Sequence, residues 1–289
     1  MSRTVTVAAI QTSYGLDMRA NIEKTAKYVR EAAKRGAQII LPSELFQNIY
    51  FCTSQDPSWF AEAFPVSEHP CVISMQKLAK ELGVVIPVSI FEKAGPHYYN
   101  SVAIVDHTGA IMGVYRKTHI PDGPGYSEKY YFRPGDLGFK VWDTKFGKIG
   151  VGICWDQWYP EVARAMVLQG AEILFYPTAI GFEPSTPDLD TSRPWQRAMQ
   201  GHAVSNYIPV VAANRIGLEK NPADGGQQGY YGSSFIADPS GTLVQEANRD
   251  QDAVLVHTFD LDAIAAERPM WGFFRDRRTD LYGSLVIPT

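Results

Sequence analysis

The stretch IGVGICWDQWYPEVARAMVLQGAEILFY, residues 149–176, holds the pattern that decides the class of fold. An apolar, β-branched run at 149–154 predicts a strand, an amphipathic stretch at 160–169 predicts a helix, and a second apolar run at 173–176 predicts another strand. Gly170 stands where the C-cap of this helix belongs. A strand, a helix and a strand in this order predict an α/β sheet with helices packed outside it.

The same alternation continues in both directions along the chain. Further strands are predicted at residues 5–10, 38–41, 84–91, 101–105, 110–116, 208–213, 232–237, 243–246 and 254–259, and further helices at 20–35, 71–82, 194–205 and 261–267. Turn-forming residues at 106–109 and 238–241 indicate hairpins, so the sheet is predicted to be mixed. No repeat, linker or change of composition divides the chain, and residues 1–289 are predicted to form a single domain.

Charge and composition argue against several classes of partner. The net charge of −4 does not provide the basic face that a nucleic-acid partner requires. No apolar stretch approaches the roughly 20 residues that span a bilayer, and the apolar run near the N-terminus is too short for a signal peptide. Three cysteines form no paired framework, which is typical of a reducing compartment. We therefore expect a cytoplasmic protein with neither nucleic acid nor membrane as a partner.

Motifs for metals and cofactors are missing from the sequence. The six histidines are scattered, and no cluster of His, Cys, Asp or Glu has the spacing of metal ligands. Neither a phosphate-binding glycine loop nor a dinucleotide fingerprint is present. The sequence therefore predicts chemistry without a cofactor and without a metal.

Three reactive side chains follow predicted strands. Two residues separate Glu44 from the apolar run that ends at Leu41. Lys117 follows the strand at 111–116 directly, and Cys154 ends the strand at 149–154. Parallel neighbours in an α/β sheet bring their carboxyl ends to one rim, where such folds bind ligands. A carboxylate, an ammonium and a thiol are therefore expected to converge there.

These residue types fit nucleophilic catalysis. A free thiol is mostly protonated at neutral pH, and Lys117 together with the helix that begins after residues 157–160 would favour the thiolate. Glu44 can accept the thiol proton and later donate it to a leaving amine. The Lys117 ammonium and the backbone N–H of Trp155 can stabilise an oxyanion. Glu128 offers a second carboxylate to hold Lys117 or the reacting nitrogen.

Each of these residues also has an ordinary structural interpretation. A cysteine that ends an apolar strand is commonly a core residue, and a lysine or glutamate after a strand commonly faces solvent. Glu128 beside Lys129 is equally consistent with an exposed charge pair. Spacing by itself leaves both interpretations open.

Four local blocks carry a family resemblance. They are PSEL at residues 42–45, YRKTH at 115–119, Glu128 followed by FRPG at 132–135, and GVGICWD at 150–156. In this order they resemble the signature blocks of the nitrilase superfamily of carbon–nitrogen hydrolases, and the resemblance runs from residue 5 to about residue 280. It implies a four-layer α-β-β-α sandwich with mixed sheets.

The resemblance also implies a site and an assembly. It implies a Glu44–Lys117–Cys154 triad with Glu128 as auxiliary carboxylate, no cofactor, and a thioester acyl-enzyme that water hydrolyses. It implies a homo-oligomer built from dimers. Residues 268–289 form a C-terminal tail whose aromatic and basic segment at 271–278 is expected to lie across a neighbouring subunit. The alternative is that the tail covers the sheet of its own subunit.

Further segments resemble the subgroup that hydrolyses N-carbamoylputrescine to putrescine, carbon dioxide and ammonia. They are PDGPGY at residues 121–126, CWDQW at 154–158, TAIG at 178–181 with Glu183 and Pro184 after it, and MQGHA at 199–203. The alternatives are hydrolysis of another small carbamoyl or amide compound, such as a carbamoyl-β-amino acid or an ω-amide, nitrile hydrolysis, and a non-catalytic scaffold that retains the fold.

The implied substrate has an ammonium at its far end, so its site needs apolar or aromatic walls and an acidic end. The loop at 177–192 contains Glu183 and no Lys or Arg, whereas a substrate carboxylate would be met by Arg. We predict that Glu183 binds the ammonium, that Tyr126 and Trp155 line the slot, and that Asp122 contributes a further carboxylate. Alternatively these aromatic rings only pack and the acidic loop faces water.

Overall fold

The computed structural model describes residues 2–182 and 188–287. One six-stranded layer contains β1 (Thr4–Gln11), β2 (Ile39–Leu41), β3 (Ile86–Ala94), β4 (His97–Val105), β5 (Ile111–Arg116) and β14 (Ala253–Asp260). Strand β14 pairs antiparallel with β1, and β2 pairs parallel with β1. A parallel bridge from Ile39 to Val85 links β2 to the start of β3, and β3, β4 and β5 form an antiparallel meander.

The second layer has the strand order β13-β12-β9-β8-β7-β6. Its strands are β6 (Val141–Thr144), β7 (Gly147–Val151), β8 (Ile173–Pro177), β9 (Val210–Ala213), β12 (Phe235–Ala237) and β13 (Leu243–Glu246). The central strands β7, β8 and β9 are parallel, and the outer strands are antiparallel. Both layers are therefore mixed sheets, as the hairpin signals predicted.

Period-two alternation places each sheet between two apolar layers. In β1, Val5 and Val7 belong to the core between the two sheets, whereas Ala8 belongs to the core beneath the first pair of helices. In β8, Phe175 faces the core between the sheets and Tyr176 faces the second pair of helices. The predicted four-layer α-β-β-α sandwich is confirmed.

The helices that cover the first sheet are α1 (Met18–Lys34) and α2 (Pro70–Leu82), and those that cover the second are α4 (Pro160–Leu168) and α5 (Ser192–Asn206). The Asp17 side chain caps α1 by accepting from two backbone N–H groups, and α2 ends at Gly83, which has a φ of +68°. Short helix α3 (Glu128–Tyr131) and helix α6 (Leu261–Trp271) complete the set, with 3₁₀ turns at Phe51–Thr53, Pro57–Glu62, Val66–Glu68, Cys154–Trp158 and Thr279–Val286.

Three features differ from the predicted elements, one of them the short helix α3. The edge strand β6 was not predicted, and neither was the antiparallel hairpin of β10 (Ile216–Lys220) and β11 (Gln227–Tyr231). In β10 the buried positions, Ile216 and Glu219, are three residues apart and one of them is charged, so the strand lacks an apolar alternation. None of the helices in the described part of the chain has the length and apolar composition of a membrane-spanning segment.

Candidate active site

A buried ionic cluster lies at one end of the sandwich. The Nζ atom of Lys117 is 2.9 Å from Oε1 of Glu44 and 2.7 Å from each carboxylate oxygen of Glu128. All three side chains are completely buried. Taking charges out of water is costly unless they are paired and hydrogen-bonded, so this geometry requires each of the three groups to hold the others.

Glu44 lies in a tight turn after β2. The next residue, Leu45, has a φ of +46°, a backbone conformation that non-glycine residues rarely adopt. The Asn100 amide donates to Oε1 of Glu44 at 2.7 Å, whereas Oε2 has no hydrogen-bond partner in the described part of the chain. One oxygen of Glu44 is therefore fixed and the other is available to accept a proton.

Cys154 lies beyond its strand, not at its end as predicted. Strand β7 ends at Val151, and Cys154 begins a 3₁₀ turn with a φ of +42°. The Asp156 carboxylate accepts from the backbone N–H of Ile153 at 3.0 Å and from the Tyr115 hydroxyl at 2.7 Å, which fixes the turn. Strained backbone that the surroundings hold in place is common at functional sites.

The route by which the three residues meet also differs from the prediction. They do not follow neighbouring parallel strands: Glu44 and Lys117 follow β2 and β5, which β3 and β4 separate in the first sheet, and Cys154 follows β7 of the second sheet. The site is thus assembled across the interface of the two sheets. The prediction that the three residues meet at the rim of one sheet is therefore wrong.

Electrostatics at the thiol differ from the expectation as well. Burial raises the pKa of Cys154 and the charge of Glu44 adds to this, while Lys117 acts in the opposite direction without prevailing. Helix α4 begins only at Pro160. The element that begins at Cys154 is a 3₁₀ turn and not the N-terminus of that helix. The resting thiol is therefore protonated, and a base is needed to activate it.

The charged groups of the cluster shift one another's pKa values. Burial would lower the pKa of Lys117, but the negative charges of Glu128 and Glu44 raise it well above its ordinary value. Burial raises the pKa of Glu128 to about 7, against the opposing effect of Lys117. Lys117 thus keeps its charge throughout the neutral range, while Glu128 titrates within it.

A cavity of about 300 Å³ opens onto the thiol. It is lined by Pro121, Tyr126, Cys154, Trp155, Trp158, Ile180 and Thr191. The walls are almost entirely apolar and aromatic, as a chain of methylenes requires. Tyr126 and Trp155 are thus both beside Cys154. Asp122 is exposed and does not line the cavity, and Glu183 lies outside the described residues.

Several residues that complete the site carried no signal in the sequence. Asn100 is a buried polar residue inside β4, which is the one hint that it binds another polar group. Tyr50 is buried, and its hydroxyl donates to Oε1 of Glu128 at 2.5 Å. Trp158, by contrast, belongs to the segment at 154–158 that carries the resemblance, and it lines the cavity. No cluster of three or more His, Cys, Asp or Glu that could hold a metal occurs among residues 2–182 and 188–287.

The chain is similar to known proteins over nearly its whole length. A sequence profile described as "Carbon-nitrogen hydrolase" matches residues 6–268. N-carbamoylputrescine amidase of Arabidopsis thaliana is 57% identical over 286 residues, which cover 98% of this chain and 96% of that protein. Citrullinase of Francisella tularensis subsp. tularensis is 51% identical over 282 residues, 98% of each chain. The crystal structure of a carbon-nitrogen hydrolase from Helicobacter pylori G27 matches with a TM-score of 0.90 and 38% identity, covering 98% of this chain and 99% of that one.

Proposed function

The chain belongs to the carbon–nitrogen hydrolase family, and on that premise we propose that it hydrolyses N-carbamoylputrescine to putrescine, carbon dioxide and ammonia. The observation that carries the proposal is a narrow apolar cavity with Cys154 in its wall and the buried Glu44–Lys117–Glu128 cluster beside it. Its walls suit four methylenes, and the thiol is where the carbamoyl carbon has to be attacked.

The first half of the reaction acylates Cys154. Glu44 takes the thiol proton, and Sγ attacks the carbamoyl carbon to form a tetrahedral intermediate. The Lys117 ammonium and the Trp155 backbone N–H stabilise its oxyanion. One carbon–nitrogen bond then breaks, Glu44 returns the proton to the departing nitrogen, and a thioester remains. Glu128 holds Lys117 in position throughout.

The second half releases the enzyme. Water attacks the thioester carbon while Glu44 accepts one of its protons, and the proton then passes to the leaving sulfur. The carbamic acid formed in this way splits into carbon dioxide and the second nitrogen product. The sum is one substrate and one water consumed, with putrescine, carbon dioxide and ammonia formed.

A carboxylate is the substrate group that the described walls of the cavity disfavour. Citrulline carries the same carbamoylated chain with an additional carboxylate, and a relative at 51% identity is named a citrullinase. No Arg or Lys is among the described residues that line the cavity, so a substrate carboxylate would have no cationic partner there. We assign the ammonium to Glu183, with Tyr126 and Trp155 as the walls.

The decisive assay is ammonia release from N-carbamoylputrescine by the purified protein, with citrulline and N-carbamoyl-β-alanine measured in parallel. We expect turnover of the first compound, loss of that turnover in Cys154→Ala, and at most slow turnover of the two carboxylates. Preferred turnover of citrulline would keep the catalytic residues and overturn the cationic tail. Full activity of Cys154→Ala would overturn the mechanism.

The role of Glu183 has its own test. Losing a charge-assisted contact costs roughly 1.5–3 kcal/mol, which is about one to two decades in kcat/KM. We expect that loss in Glu183→Gln and none in Asp188→Asn, an exposed acid of the same loop. An unchanged kcat/KM in Glu183→Gln would exclude it as the ammonium partner.

The same premise extends to assembly. We propose a homo-oligomer built from dimers in which residues 268–289 lie against a second copy of the chain. In support, the tail exposes the apolar side chains of Met270, Trp271, Leu285 and Val286. Several large apolar side chains exposed in one segment are typical of a surface that another molecule covers.

A further inference from the structure

A second buried ion pair lies directly behind the proposed catalytic cluster. The guanidinium of Arg215 is completely buried, and its Nη1 atom is 2.7 Å from Oε1 of Glu219, whose side chain is almost completely buried. Arg215 immediately precedes β10 and Glu219 lies within it, in the hairpin that the sequence did not predict. Neither residue lines the cavity beside Cys154.

Arg215 holds the turn that carries the proposed base. Its Nη2 atom donates to the backbone carbonyl of Glu44 at 2.6 Å and to that of Leu45 at 3.1 Å. Leu45 is the residue with a φ of +46°, so these two bonds fix the strained part of the turn. The orientation of the Glu44 carboxylate depends on that backbone.

Glu219 holds the other side of the cluster. Its Oε2 atom accepts from the backbone N–H of Tyr50 at 2.6 Å, and the Tyr50 hydroxyl donates to Glu128 at 2.5 Å. The pair therefore reaches both carboxylates that bind Lys117. Arg215 contacts Glu44 at its backbone carbonyl, and Glu219 is connected to Glu128 through Tyr50.

The pairing of the two charges alone gives no reason for this arrangement. A buried ion pair contributes little net stability, because the cost of desolvation is close to the gain from pairing, and well-packed apolar side chains can replace it. Arg215 and Glu219 also form hydrogen bonds to groups other than each other. These bonds go to the backbone of Glu44, Leu45, Asn48 and Tyr50. We propose that Arg215 and Glu219 are positioning residues that fix Glu44 and Glu128 around Lys117, an inference that rests on the proposed catalytic roles of these carboxylates.

The test replaces the pair with apolar side chains of similar size. The double variant Arg215→Met/Glu219→Leu removes both charges together, so neither is left buried without a partner. We expect it to fold with a lowered melting temperature, because the backbone groups of Glu44, Leu45, Asn48 and Tyr50 lose their partners, and with kcat lowered about 100-fold, the effect of a misplacement on the order of 1 Å. KM should change little, because neither residue touches the cavity.

Two further variants separate positioning from folding. Glu219→Gln keeps the shape of the side chain but replaces one acceptor oxygen with a donor, and we expect kcat to fall about tenfold at an unchanged KM. Met75→Ala lowers stability at a buried position on α2, in the core on the helix side of the first sheet, and should leave kcat unchanged. Wild-type kcat in either pair variant would overturn the positioning role, as would an equal loss of kcat in Met75→Ala.

A second measurement is independent of the substrate. Iodoacetamide alkylates Cys154 by displacing iodide, and the thiol proton must pass to Glu44, so the rate reports how well the base is placed. We expect alkylation of the double variant at Cys154, located by mass spectrometry, to be slowed about as much as kcat. If the wild type failed to hydrolyse N-carbamoylputrescine, the proposed function would fall, while slowed alkylation would still support positioning. Unslowed alkylation would overturn the positioning role.

Discussion

Replacing Tyr50 with Phe tests how the cluster is tuned, because it removes one hydrogen bond and no ring. The Tyr50 hydroxyl donates to Oε1 of Glu128 at 2.5 Å in a completely buried setting and lowers the pKa of that carboxyl, which burial raises to about 7. A buried hydrogen bond to a charged group contributes about 1.5–3 kcal/mol, and 1.36 kcal/mol corresponds to one pKa unit. Without the bond, the pKa of Glu128 should rise by about one to two units.

The role of Glu128 determines the direction in which the pH dependence of kcat should move. Only its ionised form pairs with Lys117, so activity should be lost as the pH falls through the pKa of Glu128. In Tyr50→Phe the acid limb of kcat against pH should therefore move to higher pH by about one to two units. At pH 7 the variant should be markedly slower, and it should approach the wild type only above pH 9.

The assay is ammonia release from N-carbamoylputrescine at saturating substrate between pH 5 and pH 9.5. Tyr131→Phe is the matched control, because Tyr131 is a buried tyrosine of the same aromatic cluster whose hydroxyl donates to the Ser54 carbonyl. Its acid limb should stay in place. An unmoved limb in Tyr50→Phe, with the protein folded, would refute the assignment of the limb to Glu128.

Three further predictions follow from other parts of the chain. Burial lowers the pKa of His69 to about 3. The contribution of this residue to the free energy of unfolding should therefore fall by about 1.4 kcal/mol for each unit by which the pH is lowered between about pH 6.5 and pH 3. Urea titrations of His69→Asn at several pH values should lack that part of the pH dependence. Gly181→Ala would place a Cβ atom 1.9 Å from the Gly229 carbonyl oxygen and should lower both melting temperature and kcat, whereas Gly201→Ala, with nothing within 4 Å, should lower neither. Deletion of residues 271–289 should reduce the particle mass in light scattering, and an unchanged mass would exclude the tail from the subunit interface.

Local pattern predicted the class of elements but not the number of sheets. Strands such as β1 and β8 are buried on both faces, so their sequences are apolar runs that do not reveal which sheet they join. The two-sheet sandwich came from the family resemblance, which the match to residues 6–268 confirms. The β10–β11 hairpin was missed for a different reason, because the buried residues of β10, Ile216 and Glu219, do not alternate and one of them is charged.

Reactive side chains were predictable and their supports were not. Glu44, Lys117 and Cys154 stand out because they are ionisable or nucleophilic residues that follow apolar runs. The groups that hold them are ordinary polar residues whose partners are distant in sequence. Arg215 and the Glu44 carbonyl, for example, are separated by 171 positions. A single sequence contains no periodicity that connects such positions, so only the folded chain reveals the pairing.

The protonated thiol is consistent with fast chemistry once the charges of the cluster are counted. With Glu44, Glu128 and Lys117 ionised, the cluster carries one net negative charge while Cys154 is neutral. Transfer of the thiol proton to Glu44 leaves that total unchanged and moves the negative charge from the carboxylate to the sulfur. Burial therefore opposes loss of the proton to solvent far more than its transfer inside the site.

Two consequences follow for the reaction at sulfur. The thiolate forms only while Glu44 holds the proton, so Cys154 should react slowly with any electrophile when Glu44 is displaced. In the tetrahedral intermediate the protonated Glu44 already faces the departing nitrogen, and no proton has to enter from solvent. Precise placement of Glu44 thus serves both steps, which is why a strained turn fixed by Arg215 is worth its conformational cost.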